Sequence, residues 1–252
     1  MKSKTILLGL NELNVDYIKF YISQGLLPNF KKIFDIQPPI ETSSEKEYKL
    51  LEPWVQWVTI HTGKTYEQHN VFRLGDIVNH PELSQLFEEL ENEGLSVGAI
   101  SPFNAENRLK NPSFFVPDPW TKTKASGNWI VKALYQAVHQ SVNDNAKSKL
   151  NFKSMISLGL GLLLYVPISR WLHYVKIVFK AKKPGAKAVI LDSLLADVYL
   201  TLWKKHKPDF SNLFLNSGAH IQHHYLFNSK AYKGDLKNPD WYCPDGFDPL
   251  IQ

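Results

Sequence analysis

The chain has 252 residues, of which 44% are hydrophobic and 21% charged. This composition is typical of one globular α/β domain, or of a large piece of one, that can bury a sizeable core. A single cysteine, Cys243, excludes an intrachain disulfide framework and a zinc site built from several cysteines. No signal peptide is recognisable before the first apolar run, so we expect a cytoplasmic protein.

The net charge of +5 is mild, but the basic residues are unevenly placed. Nine Lys or Arg residues and no acidic residue lie between Asp144 and Asp192. Within this block, residues 155–169 form an apolar run of about 15 residues, shorter than the roughly 20 that a transmembrane helix needs. Two interpretations stay open: a buried helix that ends near Pro167, or peripheral membrane contact through residues 155–183. A solvated basic face explains the charge equally well, and without a recognisable motif we expect no nucleic-acid binding.

The apolar pattern predicts alternating strands and helices without an internal repeat. Short continuous apolar runs predict buried parallel strands at residues 5–10, 95–100 and 210–215. Helical spacing with Pro or Gly at the ends predicts helices at residues 15–24, 52–63, 81–94 and 188–205. A further short helix is predicted to begin at residue 28. Residues 114–120 are expected to form a rigid aromatic loop, and residues 128–183 are expected to be mainly helical.

Polar side chains follow the predicted strands where these strands end. Asn11 and Glu12 follow the first strand, Asn104 follows the second, and a cluster of three histidines follows the third: His220, His223 and His224. Carboxyl ends of parallel strands share one edge, where α/β sheets place their sites. Neutral imidazoles bind metals, although a histidine cluster that only packs against aromatic side chains is also possible.

The helix at residues 52–63 begins with a carboxylate, Glu52, at its N-terminus. That carboxylate could hold a metal, and the free backbone N–H groups could receive an anion. Alternatively, Glu52 only caps the helix while Trp54 and Trp57 belong to the core. A serine-hydrolase elbow, a P-loop and a Gly-x-Gly-x-x-Gly turn are all absent from the sequence.

Three segments carry a resemblance in their order along the chain: residues 6–11 with Leu-Pro-Asn at 27–29, residues 57–63 with His69, and residues 208–223. Together they resemble the alkaline phosphatase superfamily, in particular its type I phosphodiesterase and nucleotide pyrophosphatase branch, to which sulfatases are related. The resemblance implies a three-layer α/β/α fold and two metal ions, often zinc. These metals would activate a Thr or Ser nucleophile for ester cleavage.

Carried over by position, the resemblance places Asn11 where a metal-binding Asp is expected and His223 where a ligand His is expected. Pro53 stands at the nucleophile position, and Ala219 stands at a second metal-binding Asp. The Ser-Asp-His-Gly motif of the second metal is absent. We therefore expect substitute ligands, with Thr59 or a metal-bound water as the nucleophile.

The sequence thus predicts an α/β protein, a three-layer α/β/α sandwich of alkaline phosphatase type with a mainly helical insertion. The expected divisions are an α/β part at residues 1–127, an insertion or cap at 128–187, and a continuation of the α/β part at 188–252. We expect this last part to be incomplete, either as a piece of a longer protein or as a degenerate member of the superfamily.

The predicted function is metal-dependent hydrolysis of a phosphate or sulfate ester, on a glycan or lipid-linked anion, with zinc or manganese as the cofactor. The alternative is an inactive binding or scaffolding module of the same fold, peripheral to a membrane. The expected catalytic residues are Glu52 and Thr59. The expected metal ligands are Asn11, Glu12, His220, His223 and His224, and the expected substrate contacts are Trp57, His61 and Asn104.

Overall fold

The computed structural model describes residues 3–143, 152–179, 185–238 and 248. Four strands form one parallel sheet in the spatial order β1-β4-β2-β3. They are β1 (Thr5–Leu10), β2 (Val97–Ile100), β3 (Phe114–Val116) and β4 (Phe210–Leu215). In register, Leu10 pairs with Leu215, so β1 and β4 end side by side.

Ten α-helices in the described residues surround the sheet, so the fold is mixed α/β. They are α1 (Val15–Ser23), α2 (Pro28–Ile36), α3 (Pro53–Thr62), α4 (Tyr66–His69), α5 (Leu86–Asn92), α6 (Trp129–Asn143), α7 (Phe152–Tyr165), α8 (Trp171–Phe179), α9 (Ala186–His206) and α10 (Ser217–Tyr225). Local chemistry sets several ends. Asn14 caps α1 by accepting from the backbone N–H groups of Asp16 and Tyr17, and Gly63 ends α3 in the left-handed region at φ 65°.

Helices pack on both faces of the sheet because successive strand residues point to opposite sides. On one face, Phe115 and Phe210 contact Phe87 of α5 at ring distances of 5.9 and 6.3 Å. On the other face, Phe114 and Leu213 join a core cluster with side chains of α6 and α9. The mixed α/β prediction is confirmed at this level, and the alkaline phosphatase sandwich stays a prediction.

Two predicted elements were wrong in detail. The helix expected at residues 81–94 spans only Leu86–Asn92, because Gln85 and Glu88 form a capping box that starts it later. The segment expected as a rigid loop begins with β3, whose three residues are fully buried beside β2. Three residues give too short an apolar run to distinguish a strand from an aromatic loop.

The region expected to be helical contains α6, α7 and α8, separated by residues outside the described ranges and by the turn Ile168–Arg170. The proposed boundaries at 128 and 187 stay predictions. Among the described residues, no single helix is long and apolar enough to span a bilayer. The segments Phe152–Tyr165 and Ile168–Phe179 meet that criterion only as a pair, with a 115° bend between them.

Candidate site at the carboxyl edge of the sheet

The four parallel strands deliver polar residues to one edge, which divides into two halves by strand order. We call the loops after β1 and β4 the β1/β4 half, and those after β2 and β3 the β2/β3 half. Three of the five described non-glycine residues with positive φ lie at this edge: Glu12, Ser101 and Asn104. Such conformations cost about 1 to 2 kcal/mol each, so the loops here are held by their surroundings.

In the β1/β4 half, the loop after β1 is bound to α10. The carboxylate of Glu12 contacts Nε2 of His223, although 211 positions separate the two residues. Gln222 holds the same loop twice. Its Nε2 donates to the carbonyl oxygen of Glu12 at 2.7 Å, and its Oε1 accepts from the backbone N–H of Asn14 at 3.0 Å. The side chains of Glu12 and His223 retain 29% and 60% exposure, so a ligand can reach them.

Asn11 lies beneath this contact and is 4% exposed. Its Oδ1 accepts from Nε1 of Trp57 at 2.9 Å, and its Nδ2 donates to Oδ1 of Asn216 at 2.9 Å. Trp57 itself packs edge-on against Phe214 at 5.0 Å and closely over Gly9, where a Cβ atom would come within 2.7 Å of the indole. Asn11 and Trp57 therefore join α3 to the ends of β1 and β4. Their roles as metal ligand and substrate contact stay predictions.

The other two predicted histidine ligands lie on the same helix as His223. The rings of His220 and His224 meet edge to face at a distance of 4.8 Å, as expected for positions four apart, and both residues are exposed. Partial desolvation, and then the neighbouring His224 and His223, lower the pKa of His220. The N-terminus of α10 is already occupied, because the buried carboxylate of Asp192 accepts from the backbone N–H of Ser217 at 2.6 Å.

A cavity of about 300 Å³ lies behind the same half of the edge. Its lining is predominantly apolar and comes from the ends of β1 and β4 and from α1, α2, α9 and α10. Asn11, Leu13 and Gln222 belong to the lining, so the neighbouring Glu12 and His223 lie directly beside it in the chain. The volume is at the lower end of the range typical of small-molecule sites.

Glu52 precedes α3 and Thr59 lies within it, and the two side chains have different surroundings. Glu52 is the N-cap residue, and its side chain makes no capping hydrogen bond to the described backbone. The Nδ1 atom of His69 accepts from the backbone N–H of Val71 at 3.0 Å, so Nε2 carries the ring proton. That Nε2 donates to Oγ1 of Thr59 at 3.2 Å, which makes His69 a donor toward Thr59 rather than a base. The catalytic roles of Glu52 and Thr59 stay predictions.

His61, a predicted substrate contact, is 2% exposed. It packs between Trp57 and Phe87 at ring distances of 5.8 and 5.2 Å. Neither ring nitrogen has a hydrogen-bond partner among the described residues. Burial lowers the pKa of His61 to about 4, so the imidazole is neutral at physiological pH.

In the β2/β3 half, Asn104 is fully buried, and its amide joins the loop after β2 to the segment 73–75 and to the first turn of α3. Its Oδ1 accepts from the backbone N–H of Gly75 at 2.8 Å, and its Nδ2 donates to the carbonyl oxygens of Trp54 at 2.8 Å and Arg73 at 3.3 Å. Both N–H groups of the amide and one of the two acceptor positions of Oδ1 are thus used by the surrounding backbone. The substrate contact predicted for Asn104 stays a prediction, and its described bonds are all structural.

Asp118 follows β3 and is also fully buried. Its carboxylate accepts four hydrogen bonds of 2.7 to 2.8 Å from the backbone N–H groups of Asn104, Trp120 and Thr121 and from the hydroxyl of Thr121. Desolvation raises the pKa of Asp118 while these bonds oppose the rise. Neither Asp118 nor Gln222 was predicted from the sequence. The prolines on both sides of Asp118 were its only signal, and Gln222 had none beyond its place next to His223.

A metal ion at the β1/β4 half would find a carboxylate oxygen and an imidazole nitrogen from Glu12 and His223, the donor types that zinc prefers. Within the described residues, no group of three or more His, Cys, Asp or Glu side chains is arranged to hold a metal. Two donors are fewer than the three protein ligands of a typical catalytic zinc site. The fit is therefore partial.

Comparisons with family models, with curated proteins and with solved structures found no match to this chain.

Proposed function

We propose that the chain is a metal-dependent hydrolase of phosphate or sulfate esters, with an alkaline phosphatase-type fold and its site at the β1/β4 half. The observation that carries the proposal is the contact between Glu12 and His223, which the sheet brings together from opposite ends of the described chain. When bound, a divalent metal would neutralise the anionic ester and lower the pKa of an attacking water.

The chain's own residues would position this pair. Gln222 fixes the backbone of the Glu12 loop against α10, so the carboxylate and the imidazole keep a constant relative position. Asn11 and Trp57 support the same loop from below. Hydrogen bonds that orient metal ligands commonly change metal affinity by 10- to 100-fold, so these groups have a function in the proposal although they touch no substrate.

The apolar cavity favours an amphipathic substrate. Its lining includes Leu13, Ile18, Phe30 and Ile221, which suit an alkyl chain better than a sugar. The anionic group of such a molecule would lie at Glu12 and His223 while its apolar part entered the cavity. Of the substrates expected from the sequence, a lipid-linked anion therefore fits better than a glycan.

The second candidate is a binding module without catalysis. It is favoured by Pro53, which begins α3 where a nucleophile is expected. It is also favoured by Thr59, whose hydroxyl oxygen accepts a hydrogen bond from His69 and has no base beside it in this contact. In this case the β1/β4 half would bind an anionic amphiphile without turning it over. Both candidates predict ligand binding at the same place and differ in turnover.

The test is hydrolysis of nitrophenyl phosphate diesters and nitrophenyl sulfate by the purified chain, with added zinc or manganese and after chelation. Turnover that requires metal and falls at least about 100-fold in both Glu12→Gln and His223→Ala would support the hydrolase. The matched control is the pair His80 and Glu82, whose Nδ1 to Oε1 distance is 3.0 Å and whose side chains are 25% and 64% exposed. Metal-dependent turnover that is lost equally in His80→Ala would contradict the assignment. Metal binding without turnover would favour the binding module.

The cavity has its own test with alkyl phosphate esters of short and long chain. Ile18→Trp should fill the cavity and remove any preference for the long chain, because Ile18 lines it. The control is Ile22→Trp, at a half-buried position of the same helix outside the lining. An unchanged chain-length preference in Ile18→Trp would contradict the amphipathic substrate.

A further inference from the structure

Helices α7 and α8 with the turn Ile168–Arg170 form a bent unit, here called the α7–α8 hairpin. One face of it packs on the domain, where Gly161, Tyr165 and Tyr174 are buried and Tyr165 and Tyr174 join the core cluster with α6 and α9. The opposite face exposes large apolar side chains on both helices and at the bend. Ile168 is 84% exposed and Phe179 is 86% exposed.

The hairpin is fixed to the domain by polar bonds. The buried carboxylate of Asp197 in α9 accepts from Nε of Arg170 at 2.9 Å and from the hydroxyl of Tyr174 at 2.7 Å. The hydroxyl of Thr201 donates to the carbonyl oxygen of Tyr165 at 2.8 Å, at the end of α7. The bend is thus held from the side of the domain, and the apolar face is presented outward in a set geometry.

The exposed face is too extended to be ordinary surface. Beyond Ile168 and Phe179, the side chains of Phe152, Leu163 and Leu172 are 59 to 76% exposed. Single exposed apolar residues are common on soluble proteins, but a contiguous apolar face marks an interaction site. We therefore expect this face to contact an apolar partner.

We propose that the apolar face of the α7–α8 hairpin inserts into the interfacial layer of an anionic membrane, with both helices lying along the surface. The charge of this region favours a lipid surface over a protein partner. Lys153 and Lys176 are exposed on the hairpin, and nine basic and no acidic residues lie between Asp144 and Asp192 in the sequence. Each Lys or Arg near an anionic surface adds to the attraction.

Burial of one side of each helix against the domain limits how deeply the hairpin can enter a membrane. A membrane-spanning helix would expose apolar side chains all around, whereas α7 and α8 each bury one side against the domain. A 115° bend also turns the two helices away from one common spanning axis. The geometry is that of an interfacial amphipathic segment, in which apolar side chains enter the boundary between headgroups and acyl chains while basic ones stay at the headgroups.

The test is co-flotation of the full chain with vesicles of phosphatidylcholine, with and without phosphatidylglycerol. We expect binding to the anionic vesicles that weakens but persists at high salt, because apolar insertion is not screened. Ile168→Gln should weaken binding about tenfold, and Ile168→Gln with Phe179→Gln should weaken it further. The matched control is Ile36→Gln in α2, since Ile36 has the same 84% exposure as Ile168 and lies outside the hairpin.

Insertion itself is read by an environment-sensitive fluorophore on Ile168→Cys in a chain that carries Cys243→Ser. Anionic vesicles should shift its emission to the blue, while the same label on Ile36→Cys should not respond. Far-UV circular dichroism identifies variants that have lost their fold, and the exposed positions make such loss unexpected.

Four results would overturn the proposal: no binding to either vesicle, binding that disappears completely as salt rises, equal loss in Ile36→Gln and Ile168→Gln, or an unresponsive label at Ile168→Cys. Concentration-dependent dimers without vesicles, broken by Ile168→Gln, would instead identify a second copy as the occupant. The test is independent of ester hydrolysis, so either proposal can fail without the other.

Discussion

The two halves of the carboxyl edge carry similar polar residues and use them differently. In the β2/β3 half, Asn104 and Asp118 are fully buried and their polar atoms are bonded to surrounding loops. In the β1/β4 half, Glu12 and His223 meet at the surface beside an apolar cavity. Position at the carboxyl edge is thus common to both halves, and only burial and bonding separate a structural polar group from one that can receive a ligand.

The largest expected effect on stability belongs to the β2/β3 half. Asp118→Ala should lower the free energy of unfolding by about 4 kcal/mol, because three buried donors and one partly buried donor lose their acceptor. Asp118→Asn should lower it less, since the amide oxygen still accepts. Denaturant unfolding measures both, and zinc binding by the folded fraction should be unchanged. If Asp118→Ala lowers the free energy of unfolding only slightly, the polar groups of the β2/β3 half are not structural and the contrast with the β1/β4 half is wrong.

The next largest effect is a pH dependence of the free energy of unfolding, caused by His61, whose ring packs between Trp57 and Phe87. Its pKa is lowered from 6.5 to about 4 in the folded chain. Between these values the unfolded state binds more protons, so stability is complete above about pH 6.5 and decreases as the pH falls toward 4. The total loss is at most about 3 kcal/mol.

His61→Phe should remove this component while keeping a ring between Trp57 and Phe87. The measurement is the free energy of unfolding at several pH values for both chains. If the two chains show the same slope between pH 6.5 and 4, the imidazole is not buried in its neutral form.

Gln222 should have effects on both stability and ligand binding. Gln222→Leu removes two hydrogen bonds between α10 and the Glu12 loop, and we expect a loss of about 1 to 2 kcal/mol in the free energy of unfolding. We also expect zinc affinity to fall by about tenfold, because the loop that presents Glu12 is less fixed. Calorimetric titration at a temperature where the variant is folded separates the two effects. Unchanged affinity would mean that Gln222 serves the fold alone.

The smallest effect on stability is expected at Glu12. This residue has φ 51°, where glycine avoids a steric cost of about 1 to 2 kcal/mol. Glu12→Gly should therefore leave the unfolding free energy unchanged or raise it by up to about 1 kcal/mol, since the lost contact with His223 is partly exposed. Zinc binding should nevertheless be lost. A strong destabilisation would place Glu12 with the structural residues of the β2/β3 half.

Much of this architecture could be predicted from the sequence, for reasons that particular elements illustrate. Strands β1 and β4 were predicted to their end residues, because each is a continuous apolar run between polar segments. Helix α3 was predicted because Pro53 and Gly63 define its limits. Strand β3 was missed because its three residues depend on pairing with β2, which local composition does not encode.

The candidate site was less predictable, because burial depends on tertiary packing. The proximity of Glu12 and His223 followed from the expectation that parallel strands end at one edge. The strand order decided which residues meet, and it places β4 directly beside β1. Nothing local distinguished His61, which is enclosed by aromatic rings, from His223, which is exposed.

The most direct test of the central claim is calorimetric titration of the purified, chelator-treated chain with zinc. Four single variants are compared with the unmodified chain: Glu12→Gln, His223→Ala, Glu82→Gln and His80→Ala. We predict that the unmodified chain binds zinc, that affinity falls at least about tenfold in the first two variants, and that it is unchanged in the last two. Zinc binding that is indifferent to Glu12 and His223, or that depends equally on His80 and Glu82, would contradict a metal site at the β1/β4 half.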